Sequence, residues 1–199
     1  MADLQNKADI IVTDFAWGEG IYGKRTNPNT KFGGGAEGHY KTMTMQEILD
    51  FKLEIDAVAN DDCMLLQWVT CPALKFGIEV MQHFGFEYKT VAMTWITASK
   101  EGKPRILPSY YFGANTELLL LGIKGKNKGK FRPERKLLGQ VILSELREHS
   151  RKPDESYEKI DLAYPNLTKV EFFSRFNRDG WTCYGDEVGK FNYGFGKSD

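Results

Sequence analysis

The sequence predicts an α/β fold with a mostly parallel central sheet and helices on both of its faces. Short apolar runs alternate along the chain with segments of helical periodicity, as is typical of parallel sheets crossed by helices. The apolar runs are nearly continuous, which indicates strands that are covered on both sides. With 199 residues, the chain can form a single domain over 1–199 with a real core. We expect the glycine-rich segment 190–199 to be a flexible tail.

The first strand, the loop after it and the first helix each have a local sequence pattern. The strand covers 10–13, where the residues are Ile-Ile-Val-Thr. Residues 18–42 form a glycine-rich loop, and so long a loop in a compact domain is usually functional or mobile. Thr44 and Glu47 have the spacing of a capping box, so we expect a helix from there to about Val58.

The remaining elements follow from apolar runs, prolines and glycines. Pro72 and Pro153 each precede a helical pattern, because proline fits the first turn of a helix. The run at 116–125 is almost wholly apolar, so we expect a central strand there. In chain order we predict a strand at 63–69, a helix at 73–84, strands at 88–96 and 116–125, a partly helical segment at 134–149, a helix at 154–163, and strands at 169–175 and 181–185.

Composition and spacing exclude several classes of protein. Lys+Arg and Asp+Glu are both 27, so any contact with nucleic acid needs a local basic patch rather than a whole-protein field. The cysteines Cys63, Cys71 and Cys183 lack zinc-ligand spacing, so we expect thiols in a reducing cytosol and no metal. We see no signal region and no membrane-length apolar run, and no hydrolase or dinucleotide motif. We therefore expect a cytoplasmic protein without membrane contact.

An acid and an indole follow the first strand, at the end where open α/β sheets bind their ligands. Asp14 and Trp17 lie three residues apart, and an aspartate at a strand end, taken alone, is more often a helix cap or a turn residue. Together they suit the alkylation of adenine at its exocyclic amine. A carboxylate that accepts the N–H hydrogens localises the nitrogen lone pair and stabilises developing positive charge, while an aromatic face orients the base by stacking. A base in a duplex must first be flipped out.

Asp14-Phe15-Ala16-Trp17 resembles the Asp-Pro-Pro-Trp motif of the MT-A70-like N6-adenine methyltransferases. Further blocks in the family's order are GAEGHYKTMTMQEI (35–48), LLQWVT, GFEYKTVAMTWI, YYFGANTELLLLGIKG, SRKPDESY (150–157) and KVEFFSRFNRDGWTCYGDEV (169–188). The resemblance implies a Rossmann-like methyltransferase fold, S-adenosylmethionine as cofactor and adenine in nucleic acid as substrate. We expect DNA rather than RNA, by analogy with compact bacterial and mobile-element members.

The resemblance also implies roles for individual residues. Asp14 should accept hydrogen bonds from the target amine, the backbone carbonyl of Phe15 should be the second acceptor, and Trp17 should stack on the base. Lys152 and Asp154 resemble the anchor of a helix start beside the cofactor pocket, although a proline-first helix terminus explains them equally well. The expected cofactor-binding residues are Asn115, Thr116, Glu117, Ser174, Arg175, Asn177, Arg178, Asp186 and Glu187.

Two basic segments are candidates for contact with the nucleic acid. Residues 124–136 contain seven positive residues and one acid, and they follow a strand on the side where we expect the substrate to enter. Their expected phosphate contacts are Lys126, Lys128 and Lys130, with a solvated loop as the alternative. Lys24 and Arg25 of the glycine-rich loop either close over the target base as a lid or belong to an ordinary mobile loop. His39 and Tyr40 either line the base pocket or have a structural role.

The chain departs from the family motif where Phe15 and Ala16 replace two prolines. Proline stiffens a loop by fixing φ, and losing it costs ~0.4–1 kcal/mol per residue in chain entropy. Phenylalanine could also crowd the base pocket or enlarge its stacking surface. Three possibilities follow: an active adenine methyltransferase with a relaxed motif, an enzyme with another substrate or transferred group, or a catalytically degenerate nucleic-acid-binding or scaffold subunit. A homo-oligomer or a partner subunit is compatible with each.

Overall fold

A seven-stranded sheet forms the centre of the fold. The computed structural model describes residues 7–18, 42–109, 111–135, 138–147, 151–186 and 188–189. Its strands are β1 Ala8–Thr13, β2 Ala59–Thr70, β3 Glu87–Ala98, β4 Thr116–Lys124, β5 Val141–Glu145, β6 Lys169–Phe172 and β7 Trp181–Tyr184. They lie in the order β5-β3-β4-β2-β1-β6-β7.

Helices cover both faces of this sheet. Within the described residues they are α1 Met45–Asp50, α2 Lys52–Val58, α3 Leu74–His83 and α4 Asp154–Ala163. One apolar cluster joins Ile55 of α2 and Val80 of α3 to Ile11 of β1. A second cluster joins Ile160 of α4 to Val12 of β1, and adjacent strand residues point to opposite faces. The predicted α/β class with helices on both faces is confirmed.

All strand pairings are parallel except the two that β4 makes. Thr70, at the end of β2, pairs with Glu117 at the start of β4, and Cys63 pairs with Lys124; β3 also pairs with β4 in the antiparallel sense. The start of β4 therefore lies where the other six strands end. We call this side of the sheet the carboxyl edge, and the other side the opposite edge.

β1 lies at the point where the strand order of the sheet reverses. The chain passes from β1 to β2 on one side, whereas β6 pairs with β1 on the other. A crevice at such a switch point is where open α/β sheets bind ligands. The residues that directly follow β1 are therefore placed at the binding position of the fold.

The structure differs from the predicted elements in three places. The predicted strand at 169–175 ends at Phe172. The segment at 134–149, predicted as partly helical, contains β5, which pairs with the end of β3. The predicted helix after Thr44 is interrupted at Phe51, whose ring packs on Phe15. The capping box of Thr44 and Glu47 is confirmed, as is the helix at 154–163. No helix among the described residues is long and apolar enough to cross a membrane.

Candidate active site

Three charged side chains meet at the carboxyl edge. Asp14 follows β1, Glu117 belongs to the start of β4, and Lys152 lies two residues before α4. The Nζ of Lys152 lies 3.0 Å from Oδ2 of Asp14 and 2.9 Å from Oε2 of Glu117. The fold thus brings together residues from three distant parts of the chain, with one ammonium group between two carboxylates.

Burial and the unequal number of charges control the titration of this group. The pKa of Asp14 is raised to about 6; desolvation is the largest cause, Lys152 opposes it, and Glu117 and Glu171 add to it. Burial works to lower the pKa of Lys152, but Asp14 and Glu117 outweigh it and the pKa is raised. The Asp14 side chain keeps 29% exposure against 9% for Lys152. Lys152 therefore stays cationic, and Asp14 is an accessible group that titrates near neutral pH.

The two aromatic residues after Asp14 are part of the hydrophobic core. Phe15 is 2% exposed and Trp17 5% exposed. The ring of Phe15 packs against Phe51, Phe84 and Phe173, at centroid distances of 5.6, 6.0 and 5.2 Å, and edge-on against Trp17 at 5.8 Å. Phe15 therefore neither crowds nor extends an open base pocket. The structure does not present Trp17 as the expected open stacking surface, because its ring completes this cluster.

Backbone hydrogen bonds hold the loop that carries these residues. The amide of Trp17 donates to the carbonyl of Phe15 at 3.0 Å, and the amide of Met43 donates to the carbonyl of Ala16 at 2.7 Å. The Phe15 carbonyl, expected to contact the target amine, already accepts one bond and keeps one lone pair. The buried indole N–H of Trp17 has no hydrogen-bond partner in the described part of the chain.

Two residues predicted to bind the cofactor are used inside the fold. Glu171 of β6 accepts hydrogen bonds from Tyr157 Oη at 2.6 Å and from Ser174 Oγ at 2.8 Å. It also accepts one from Arg178 Nε at 3.3 Å, and the Arg178 guanidinium lies 3.4 Å from the centre of the Tyr157 ring. Ser174 and Arg178 are 2% and 8% exposed. Arg178 compensates the charge of Glu171 and Ser174 adds a hydrogen bond to it, so both side chains are engaged inside the fold and their contact with a cofactor stays a prediction.

The other predicted cofactor residues that the structure describes lie at the carboxyl edge. The Asn115 carbonyl accepts a hydrogen bond from the Thr97 amide at 2.8 Å, and Thr116 Oγ1 lies 3.2 Å from Cys71 Sγ. Arg175 is half-buried. Asn177 and Asp186 are exposed, and Glu187 lies outside the described residues.

The loop that carries Arg175 and Asn177 is seated directly on the end of β7. The amide of Ser174 donates to the carbonyl of Tyr184 at 2.9 Å. A Cβ at Gly185 would collide with the carbonyl of Ser174, so only glycine permits this approach.

The basic segment at 124–136 lies at the opposite edge, which corrects the predicted path of the nucleic acid. Because β4 is antiparallel, its end is on the far side of the sheet from Asp14. Lys124 pairs with Asp56 at 3.2 Å, Lys128 with Glu87 at 3.5 Å and Lys130 with Asp9 at 2.6 Å, and Lys126 lies in the same turn. These cations are largely matched by neighbouring acids. Lys24, Arg25, His39 and Tyr40 lie outside the described residues.

Sequence reasoning missed the roles of Glu171 and Tyr157. A signal for Glu171 existed, because an acid within the short buried strand β6 requires a charged or hydrogen-bonding partner. Tyr157 had no comparable signal, since a tyrosine on an amphipathic helix is usually a core residue.

Comparison with known families decides how this site is interpreted. A model of the MT-A70 family matches residues 8–187. The chain belongs to the MT-A70 family. This family member is a methyltransferase with the Rossmann-like fold predicted above, and the match includes Asp14, Glu117 and Lys152 within its span.

Curated relatives of this MT-A70 protein differ in length. It is 30% identical over 194 residues to Type II methyltransferase M.MunI of Mycoplasma sp, covering 92% of this chain and 79% of the relative. It is 32% identical over 158 residues to a putative N(6)-adenosine-methyltransferase MT-A70-like protein of Medicago truncatula, covering 75% and 24%. For the N(6)-adenosine-methyltransferase catalytic subunit METTL3 of Homo sapiens the identity is 28% over 155 residues, covering 75% and 25%. The chain thus spans most of the Mycoplasma relative but only about a quarter of the plant and human ones.

Proposed function

We propose that this MT-A70 protein transfers a methyl group from S-adenosylmethionine to the exocyclic N6 amine of adenine in DNA. The observation that supports it most is the accessible carboxylate of Asp14 at the carboxyl edge, with a pKa of about 6. This group is mostly ionised at neutral pH, so it can accept hydrogen bonds from an amine. These hydrogen bonds localise the lone pair on the amine nitrogen, which is a poor nucleophile, and the carboxylate stabilises the positive charge that develops there.

Each member of the charged group has a part in this proposal. Lys152 contacts Oδ2 of Asp14 and fixes the carboxylate, while Oδ1 has no protein partner among the described residues and is left to accept an N–H. The remaining lone pair of the Phe15 carbonyl is the second acceptor. Because the pKa of Asp14 is close to neutral, this carboxylate can also take the proton that the nitrogen loses.

The residues at the carboxyl edge fit S-adenosylmethionine, which supplies an electrophilic methyl group on a sulfonium. Asp14, Glu117 and Lys152 together carry one net negative charge when all are ionised, which complements a cation. Asn177 and Asp186 are exposed at the same edge and supply further hydrogen-bonding groups. Ser174 and Arg178 contribute indirectly, by fixing the loop that carries Asn177.

DNA is proposed as the polymer because of the relative with the greatest mutual coverage among those compared. That protein is a type II methyltransferase, and 79% of its length is covered. The N(6)-adenosine-methyltransferases are matched over about a quarter of their length. The burial of Trp17 favours a second candidate, a nucleic-acid-binding subunit that lacks transfer activity.

The test measures methyl incorporation from labelled S-adenosylmethionine into matched DNA and RNA oligonucleotides, single-stranded and duplex. Oligonucleotides in which purine without an exocyclic amine replaces adenine are the substrate control. Asp14→Asn should lower turnover by at least about 100-fold, the usual cost of losing one such electrostatic contact, because an amide lacks the anionic acceptor. Donor affinity measured by calorimetry should change little. Unchanged turnover in this variant would refute the role of Asp14, and donor binding without transfer to any oligonucleotide would support the second candidate.

A further inference from the structure

The segment between β3 and β4 projects from the carboxyl edge and exposes large apolar and basic side chains together. Tyr111 and Phe112 are 86% and 91% exposed, and Ile106 is 77% exposed. Lys100, Lys103 and Arg105 are exposed as well. We call residues 99–114 the β3–β4 arm; of these, 99–109 and 111–114 are described.

Backbone hydrogen bonds give the arm a defined shape. The amide of Ser99 donates to the Lys103 carbonyl at 2.8 Å, and the amide of Arg105 donates to the Thr97 carbonyl at 2.8 Å. Leu107 and Ala114 exchange two backbone hydrogen bonds of 2.9 and 2.8 Å, which close the base of the tip. The exposed side chains are therefore presented from an ordered hairpin, so less entropy is lost when they bind a partner.

The arm is continuous with the charged site. Residue 114 is followed by Asn115, which is bonded to Thr97 of β3, and then by β4 with Glu117, which contacts Lys152. A ligand that spans the arm and reaches Asp14 needs to extend only along one edge of the sheet.

The side chains of the arm suit a nucleic-acid strand better than an apolar protein surface. Its described part has three cations, Lys100, Lys103 and Arg105, against the single acid Glu101. Exposed cations bind phosphates, and exposed aromatic rings stack on unpaired bases whatever their identity. Core residues of protein interfaces are instead depleted in lysine. At the opposite edge, in contrast, Lys124, Lys128 and Lys130 are paired with Asp56, Glu87 and Asp9.

We propose that the β3–β4 arm is the nucleic-acid contact of this protein. Its cations lie along the sugar-phosphate backbone of the DNA strand. Tyr111 and Phe112 stack on or wedge between the bases beside the target adenine. This inference rests on the proposed function and extends it, because a flipped base leaves neighbours that aromatic or apolar wedges can support. It also replaces the lysines at 126–130 as the expected phosphate path.

Binding of fluorescent single-stranded and duplex DNA, measured by anisotropy at several salt concentrations without the methyl donor, tests the arm. Tyr111→Ala with Phe112→Ala should weaken binding by at least about fivefold, the lower end of the stacking effect for one base. Lys100→Gln, Lys103→Gln and Arg105→Gln together should lower the salt slope by up to about two for single strands and up to about three for duplex DNA. The matched control, Lys126→Gln with Lys128→Gln, should leave affinity and slope unchanged. Thermal melting and donor affinity verify the fold of each variant.

The outcomes separate this inference from the proposed function. Wild-type affinity in both arm variants, or no binding of any oligonucleotide by the wild type, would overturn the inference. So would light scattering that shows the aromatic variant dissociating an oligomer while each protomer keeps its affinity for DNA, because the arm would then be a protein interface. Arm-dependent binding without methyl incorporation supports the inference and refutes the proposed function. Methyl transfer with an arm-independent KM refutes the inference alone.

Discussion

Asp14 experiences opposite influences on its charge. Desolvation, Glu117 and Glu171 disfavour the carboxylate, whereas Lys152 at 3.0 Å favours it. The result is a pKa of about 6, well above that of an ordinary aspartate. Perturbed groups of this kind are concentrated at functional sites.

The pH dependence of methyl transfer should report this titration. In the proposed function the ionised carboxylate is the active form, so kcat/KM should fall by about tenfold per pH unit as the pH drops below about 6. Lys152→Met removes the cation that lowers the pKa of Asp14, so the acidic limb should move to higher pH. Initial rates measured across the pH range check both expectations.

Lys75→Met is the control for this experiment, since Lys75 is exposed and pairs only weakly with Glu79 at 3.8 Å. The acidic limb of the pH–rate profile of this variant should match that of the wild type. An unmoved limb in Lys152→Met, with Lys75→Met behaving normally, would mean that Lys152 does not set the charge of Asp14.

The loop after β1 is held by a buried ring where the family motif has a proline. Burial of a phenylalanine side chain contributes ~1.5–3 kcal/mol, which exceeds the ~0.4–1 kcal/mol that a proline contributes through chain entropy. The cluster of Phe15 with Phe51, Phe84 and Phe173 therefore more than replaces the stiffness that the missing proline would give. At this element, the altered motif is compatible with a well-held loop.

Restoring the family's prolines singly should have unequal effects. Phe15→Pro should lower the free energy of unfolding by about 2–4 kcal/mol, because the lost ring outweighs the entropic gain. Ala16→Pro should stay within about 1 kcal/mol of the wild type, because Ala16 contributes its carbonyl to Met43 and proline keeps that acceptor. Urea denaturation compares the two variants. Equal stability would mean that the aromatic cluster does not anchor the loop.

The elements with strong local signals were predictable from sequence, and those decided by tertiary pairing were not. The capping box of Thr44 and the proline before α4 are local, and both helix starts are confirmed. β5 was missed because its flanks contain charged residues in a helical pattern. Its strand state depends on pairing with β3, and such tertiary context overrides local preference.

At the scale of the whole molecule, the direction of β4 decides which loops meet. An apolar central strand has the same sequence pattern whether it runs parallel or antiparallel to its neighbours, so its direction could not be inferred. Reversal of β4 brings Glu117 to Asp14 and carries the lysines at 124–130 away from it. The sequence therefore placed Asp14 at the carboxyl edge, but it predicted neither the ion pairs of Lys152 nor the remote position of the basic segment.

Lys130 should act as a structural tie at the opposite edge. It lies 2.6 Å from Asp9, which also accepts hydrogen bonds from Asn60 Nδ2 and the Thr168 amide. Removing one partner of such a half-buried pair leaves the other uncompensated, so Lys130→Ala should lower the free energy of unfolding by about 1–3 kcal/mol. Lys126→Ala, the matched control, should have an effect within about 0.5 kcal/mol.

Stability measured against pH gives a second check on Lys130. Although burial opposes it, the hydrogen bonds of Asp9, that from Lys130 first, lower its pKa below the ordinary value. Its contribution is therefore present above the ordinary aspartate pKa and is lost as the pH falls through the folded value. The deficit of Lys130→Ala should shrink in acid. If DNA affinity rather than stability changed in this variant, the opposite edge would have a binding role.

The two carboxylates around Lys152 have a consequence for selectivity between small molecules of similar shape. Above about pH 6, Asp14, Glu117 and Lys152 together carry one net negative charge, which is lost when Asp14 takes up a proton. A positively charged methyl donor should then lose affinity in acid, while the uncharged thioether left after transfer should be nearly indifferent to pH. At neutral pH the net negative charge therefore favours replacement of the uncharged product by the positively charged methyl donor.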